Sequence, residues 1–151
     1  MMLVLDASVF FSDFPVMEKA CTTPSVVAEL VDLRSKGRLE ALLAEGLSVR
    51  EPDVRFLEEV EAAAKRSGDA EKISRTDRDI LALALEVQAV LVTDDFAVQN
   101  VAHSLKVQTR SIQQRAARQI RWRFRCSGCG RYYREVGECP VCGAAIKRKL
   151  K

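Results

Sequence analysis

Short apolar runs alternate with amphipathic stretches over the first two thirds of the chain, and that alternation predicts a layered α/β fold. Leu3-Val4-Leu5, ending at Asp6, is an unbroken run of strand length, as a strand buried on both faces requires. Thr23 before Pro24 is a helix start: a hydroxyl cap, then the residue whose missing N–H costs nothing there. Val26, Val27, Leu30, Val31 and Leu33 follow at helical spacing, with Gly37 as the expected stop. Residues 38–45 read as a second short helix ended by Gly46, and 47–50 as a brief strand before Pro52. Asp53 caps an acidic, Ala-rich helix over 54–66, stopped by Ser67-Gly68. Thr76 followed by Asp79 resembles a capping box with an acid in place of Glu or Gln, opening a helix over 77–87. Residues 89–92 form a second apolar strand that ends in Thr93-Asp94-Asp95. Residues 96–105 return to helical spacing, and 106–108 are a weak third strand. Strands separated by helices need crossover connections, which make the sheet parallel.

Composition adds limits. The chain has 151 residues, 48% hydrophobic and 30% charged, enough apolar material for a core, which excludes disorder throughout. No apolar run approaches the roughly 18 residues of a membrane helix. The five apolar residues before Asp6 fall short of a signal peptide, so a cytoplasmic protein with reduced thiols is expected.

The net charge of +3 hides a division. Residues 1–103 carry 11 Lys and Arg against 19 Asp and Glu, a net of −8; residues 104–151 carry 13 against 2, a net of +11. An acidic part can hold cations, and a basic part can hold a polyanion, nucleic acid before others. Residues 109–123, rich in Arg and Gln, read as a basic linker. From Phe124 onward, cysteine and glycine replace helical periodicity.

Cys126-x-x-Cys129 and Cys139-x-x-Cys142 are nine residues apart, and each pair is followed by a glycine, Gly130 and Gly143. Two such knuckles can supply four thiolates to one tetrahedral zinc. With every position filled by protein the zinc is structural, and a module this small needs it in place of a core. Aromatics lie among arginines nearby. Arg118, Arg121, Arg123, Arg125, Arg131 and Arg134, with Tyr132 and Tyr133, offer charge to phosphates and stacking to unpaired bases. Trp122 or Phe124 is the better candidate for packing the ribbon against the main domain.

The acidic half carries the reactive chemistry. Asp6 and the Asp94-Asp95 pair end two strands, and ligand sites in open α/β sheets gather at the carboxyl ends of strands. Glu29 lies within the first strong helix, near its buried face, and Asp77 opens a later one. Carboxylates without neighbouring His or Cys suit Mg²⁺ or Mn²⁺, two of which can clamp a scissile phosphate and ionise the attacking water. Spacing and charge alone thus reach a metal-dependent, RNA-acting enzyme with a zinc-stabilised binding module.

Four segments also carry a resemblance. Leu-Val-Leu-Asp-Ala-Ser at 3–8, Thr-Pro-Ser-Val-Val-Ala-Glu-Leu at 23–30, Ser-Arg-Thr-Asp at 74–77 and Leu-Val-Thr-Asp-Asp-Phe at 91–96 resemble the PIN-domain nucleases, over residues 1 to about 110. The resemblance implies an α/β/α sandwich with a central parallel sheet, and acids that bind divalent metal to hydrolyse RNA. It places Asp6, Glu29 and Asp77 at the first three acidic positions, and Asp95 or its neighbour Asp94 at the fourth. The implied organisation is a PIN-like nuclease domain at 1–108, the linker at 109–123, and a zinc ribbon with a basic tail at 124–151. Together with Phe-Ala-Val-Gln-Asn-Val at 96–101, the ribbon makes the chain resemble the Nob-type branch of the family. That branch implies an endoribonuclease cleaving precursor small-subunit rRNA at its 3′ end, with the small-subunit precursor as partner. Two alternatives stay open: a toxin-like PIN ribonuclease acting on other RNA, and a non-catalytic zinc-ribbon assembly factor that binds RNA.

Overall fold

Leu3–Leu5 forms a strand, β1, and all three of its residues are buried whichever face they point to. The computed structural model describes residues 1–112, 123–133 and 136–149. They fall into two units, Met1–Ile112 and Gln113–Lys151. The first unit continues through α1 (Ala7–Phe10), β2 (Ala20–Thr22), α2 (Pro24–Glu29), α3 (Leu33–Ala44), β3 (Ser48–Val49) and α4 (Val54–Ser67). It closes with α5 (Arg75–Val87), β4 (Val90–Val92), α6 (Phe96–Ser104) and β5 (Thr109–Arg110). The five strands are all parallel, in the order β3-β2-β1-β4-β5. Like β1, β4 is buried at every residue, so helices cover both faces of the sheet. The core runs through Leu3, Leu5, Phe10, Ile80, Leu81, Leu83, Leu91 and Val92. Among the described residues no helix is long and apolar enough to cross a membrane.

Several elements differ from the sequence expectation. The helix begun at Thr23 stops at Glu29, and a separate one, α3, starts behind Asp32, whose carboxylate accepts from Ser35 N at 3.0 Å. Gly37 lies inside α3 and does not end it. Ser74, not Thr76, caps α5, through a reciprocal bond with Asp77. The last strand begins at Thr109, because Lys106 turns the chain with a positive φ of 60°. The first unit therefore reaches Ile112 and not 108. Of the expected linker, residues 113–122 lie outside the described residues.

The second unit is a four-stranded antiparallel ribbon: β6 (Arg123–Cys126), β7 (Tyr132–Tyr133), β8 (Gly137–Glu138) and β9 (Ala145–Lys149), in the order β7-β6-β9-β8. Its buried cluster is Cys126, Cys139 and Ile146, with Phe124, Tyr133 and Ala144 packed against it.

One arginine braces the turn that leads into α5. Arg78 donates to Ala70 O at 2.6 Å, to Ile73 O at 2.5 Å and to Glu61 Oε2 at 2.6 Å. A guanidinium fork reaches three acceptors at once, and a single ammonium does not. Arg78→Lys is expected to lower stability by about 1–3 kcal/mol, read from urea unfolding. An unchanged midpoint would show that the brace contributes nothing.

Candidate active site and metal centre

The parallel pairing of β1 with β4 decides where the acids meet. Leu5 lies opposite Val92, so Asp6 leaves one strand where Thr93 leaves the other. Asp6 then caps α1, accepting from Ala7 N at 2.7 Å through Oδ1. Its Oδ2 accepts from Thr93 Oγ1 at 2.8 Å. Thr93 is fully buried, and its hydroxyl also accepts from Asp95 N at 3.2 Å, so one side chain joins the two strand ends. Thr22 secures β1 from the other side, donating to Leu5 O at 2.8 Å.

Asp95 caps α6, with Oδ1 accepting from Ala97 N at 2.9 Å and Val98 N at 3.2 Å. Asp77 caps α5 reciprocally with Ser74, whose backbone N donates to Asp77 Oδ2 at 2.8 Å. Each therefore commits one oxygen to a cap and leaves the other for a ligand. Glu29 is the last residue of α2 and is exposed, whereas the sequence pattern put it near the buried face.

Electrostatics ties the four together. Burial pushes the Asp6 carboxyl above its ordinary value, and the charges of Asp77 and Glu29 push further against the bonds from Thr93 and Ala7. Burial likewise raises Asp77, and the charges of Asp95 and Glu29 add to it against the Ser74 bonds. Asp6, Glu29, Asp77 and Asp95 thus sense one another at one edge of the sheet. Asp94 takes a different place. Its Oδ1 accepts from Ile112 N at 2.7 Å and from Ser111 Oγ, fastening the segment beyond β5 to the end of β4. Thr93 stood in the Thr-x-Asp segment, yet nothing in the sequence showed that it would bridge Asp6 and Asp95.

In the ribbon the four thiols meet. Cys126 Sγ lies 3.3 Å from Cys142 Sγ, and Cys129 Sγ lies 3.7 Å from Cys139 Sγ. Among the described residues these four make the group whose ligating atoms all lie within 4.8 Å of one another. Each knuckle closes alike: Gly130 N donates to Cys126 O at 3.2 Å, and Gly143 N to Cys139 O at 2.9 Å. Both glycines have left-handed φ, 77° and 75°, which a side chain resists. The Tyr133 hydroxyl lies 3.0 Å from Cys139 Sγ and donates to the thiolate, holding that thiol down at about 6 and pushing the phenol up to about 12.

Tyr133, expected at the RNA surface, is half-buried against the ribbon core with its hydroxyl on the Cys139 sulfur. Phe124 packs against the ribbon's own cluster of Cys126, Cys139 and Ile146. Tyr132 is 55% exposed, beneath the Arg125 guanidinium at 5.9 Å from the ring centre. Cross-strand register sets Tyr132, Arg125 and Lys147 side by side on one face, all exposed. Arg131 is exposed too. Arg118, Arg121, Trp122 and Arg134 lie outside the described residues, and Arg123 is described only as backbone of β6.

A parallel sheet with acids at its carboxyl edge is the architecture of one nuclease class, and residues 3–87 match the PIN domain of ribonuclease. The chain belongs to this family. Endoribonuclease Nob1 of Pyrococcus abyssi is 40% identical over 149 residues, spanning 96% of this chain and 91% of that protein. Endoribonuclease Nob1 of Archaeoglobus fulgidus is 39% identical over 155 residues, spanning 98% and 91%. Ribonuclease VapC1 of Thermoplasma acidophilum is 36% identical over 152 residues, spanning 98% of this chain and 78% of that protein. The fold is shared with a PilT N-terminus domain protein from Sulfolobus solfataricus, at a TM-score of 0.50 and 18% identity, covering 78% of this chain and 92% of that one.

A carboxyl raised by burial and by like charges is ionised at neutral pH at the expense of folding. Asp6→Asn keeps the cap, since asparagine caps as well as aspartate, and removes the charge. The zinc-loaded variant, with no other divalent ion present, is expected to melt a few degrees higher than the wild type by calorimetry. A lower melting temperature would show that the Asp6 charge is not under strain.

Proposed function

We propose that the protein is a cytoplasmic endoribonuclease cleaving the precursor of the small-subunit rRNA at its 3′ end. In this reading Asp6, Glu29, Asp77 and Asp95 hold Mg²⁺ or Mn²⁺, and Cys126, Cys129, Cys139 and Cys142 hold one structural zinc. The convergence of the four carboxylates on one sheet edge carries it. Their donors are hard oxygens whose mutual repulsion a divalent cation relieves, and the four soft thiolates at tetrahedral spacing suit zinc. The Pyrococcus and Archaeoglobus relatives, each matched over about nine tenths of its length, are endoribonucleases by name and support RNA as the substrate. Free, closely spaced thiols fit a reducing compartment.

Bound metal would supply an ionised water and positive charge for the leaving oxygen. The chain's own groups hold and aim the ligands: Ala7 N–H and Thr93 orient Asp6, the first turn of α6 orients Asp95, and Ser74 orients Asp77. His103, the chain's single histidine, is exposed in the last turn of α6, about 12 Å along that helix from Asp95. No imidazole is therefore in place to activate a 2′-hydroxyl, and the products should carry a 3′-hydroxyl and a 5′-phosphate.

Incubating precursor RNA that spans the 3′ junction, with and without Mn²⁺, and mapping the ends tests this. Asp6→Asn and Asp95→Asn should lose cleavage by orders of magnitude, and Asp94→Asn far less. A 2′,3′-cyclic phosphate end, or full activity in Asp6→Asn, would overturn the mechanism. Equal cutting of unrelated RNAs would favour the other nuclease reading, which the VapC1 relative keeps in view.

The ribbon's row of Tyr132, Arg125 and Lys147 would stack an unpaired base and bind its phosphates. Tyr132→Ala should weaken RNA binding by about 1–3 kcal/mol while zinc stays bound. Tyr133→Phe should do the reverse, losing about 10–100-fold in zinc affinity while zinc-saturated protein binds RNA normally. Equal effects of the two substitutions on RNA binding would place both tyrosines in one surface and refute the division.

A further inference from the structure

Ser25 and Asp79 stand outside the four-carboxylate cluster, yet they join the helices that carry two of its members. Ser25 Oγ donates to Asp79 Oδ2 at 2.7 Å and lies 3.0 Å from Thr23 Oγ1. A serine hydroxyl has one proton, and a carboxylate has none to give. The Ser25 proton therefore goes to Asp79, and Ser25 accepts from Thr23. Thr23 in turn accepts the capping N–H of Val26, at 3.4 Å. The direction of the whole chain is thereby set, from the first turn of α2 to a carboxylate on α5. Thr23 is fully buried, and Ser25 and Asp79 are half-buried.

The position of this tether matters because the four acids are not equally secured. Asp6, Asp77 and Asp95 are each oriented by a backbone N–H of their own cap. Glu29 is exposed at the end of a six-residue helix, and its location depends on how α2 sits against α5. Ser25 is four residues before Glu29, on the same face of α2, and Asp79 is two residues after Asp77. Glu29 and Asp77 carry like charges, so the placement of α2 beside α5 has to be held by other contacts. The Ser25–Asp79 hydrogen bond is a side-chain tie of that kind between the two helices.

We propose that Asp79 is a positioning residue: through Ser25 it locks α2 to α5 and keeps Glu29 where it can share a divalent cation with Asp77. This role rests on the metal-dependent reading given above. The full, zinc-loaded chain is titrated with Mn²⁺, and free Mn²⁺ is read by electron paramagnetic resonance. Groups standing behind metal ligands typically contribute about 10–100-fold in affinity. Ser25→Ala and Asp79→Ala should each weaken Mn²⁺ binding by at least about tenfold, with zinc content and RNA affinity at the wild-type level. Asp79→Asn still offers Ser25 an acceptor oxygen and should stay near the wild type. An Asp79→Asn variant as weak as Asp79→Ala would make the charge itself part of the metal site and overturn the positioning role. Unchanged affinity in Ser25→Ala, alongside a clear loss in Asp6→Asn, would overturn this role alone. That variant removes a single hydroxyl, so it decides the matter even if Asp79→Ala does not fold. A wild-type chain that binds Mn²⁺ no better than Asp6→Asn would overturn this role and the metal-dependent reading together.

Discussion

Like charges crowded at one edge of a sheet repel one another and lose hydration, and the first unit is built around holding them there. Parallel pairing does the gathering: with β1 and β4 adjacent, every strand delivers its carboxyl end to the same side. Helix starts do the holding. Asp6 and Asp95 are N-caps and Asp77 is the acid of a capping box, so each sits where backbone N–H groups carry partial positive charge. A capping role and a metal-binding role are therefore compatible in one side chain. At Asp77 and Asp95 the cap uses one oxygen and fixes the rotamer, whereas at Asp6 the second oxygen also accepts from Thr93 and keeps only its remaining lone-pair capacity. The carboxyls of Asp6 and Asp77 are raised above their ordinary values mainly by burial, which the cap hydrogen bonds counter only in part.

The ribbon meets the opposite constraint, having too little to bury. Among the described residues, three buried side chains and three partly buried neighbours cannot offset the ordering of a module this size, and two of the buried three are cysteines. Zinc held by the four thiolates would take the place of a core. The Tyr133 hydroxyl shows how far this goes, with an aromatic that packs the ribbon and also donates to a ligand sulfur. The outer face, where cross-strand register puts Arg125, Tyr132 and Lys147 side by side, is the one the proposed RNA contact would use.

Legibility in the sequence followed the strength of the local signal. β1 and β4 were plain because buried parallel strands are unbroken apolar runs, and the knuckles were plain because their glycines follow each cysteine pair directly. β2 passed unseen: Ala20–Thr22 is three residues long, without branched aliphatics, and is a strand because β1 and β3 flank it. The merging of α2 with α3 came from counting Val31 and Leu33 as one buried stripe, whereas they are 76% and 91% exposed around the Asp32 cap. In the site, residue types and strand ends placed the acids, but two adjacent aspartates look alike until Ser111 and Ile112 are seen to occupy one of them. The Ser25–Asp79 contact spans 54 positions and leaves no periodic trace.

The order in which the chain is made has a consequence for when it can act. β1, the first element of this unit, lies in the middle of the sheet, and its neighbour β4 is among the unit's last elements. Asp6 and Thr93, which must meet to form the site, lie 87 positions apart. Closing so long a loop costs entropy that local helical contacts do not, so the central pairing forms late. A nascent chain can acquire its helices as they emerge, but it has no acidic edge until the segment through Asp95 has left the ribosome. The enzyme therefore gains its acidic edge only near the completion of its first unit.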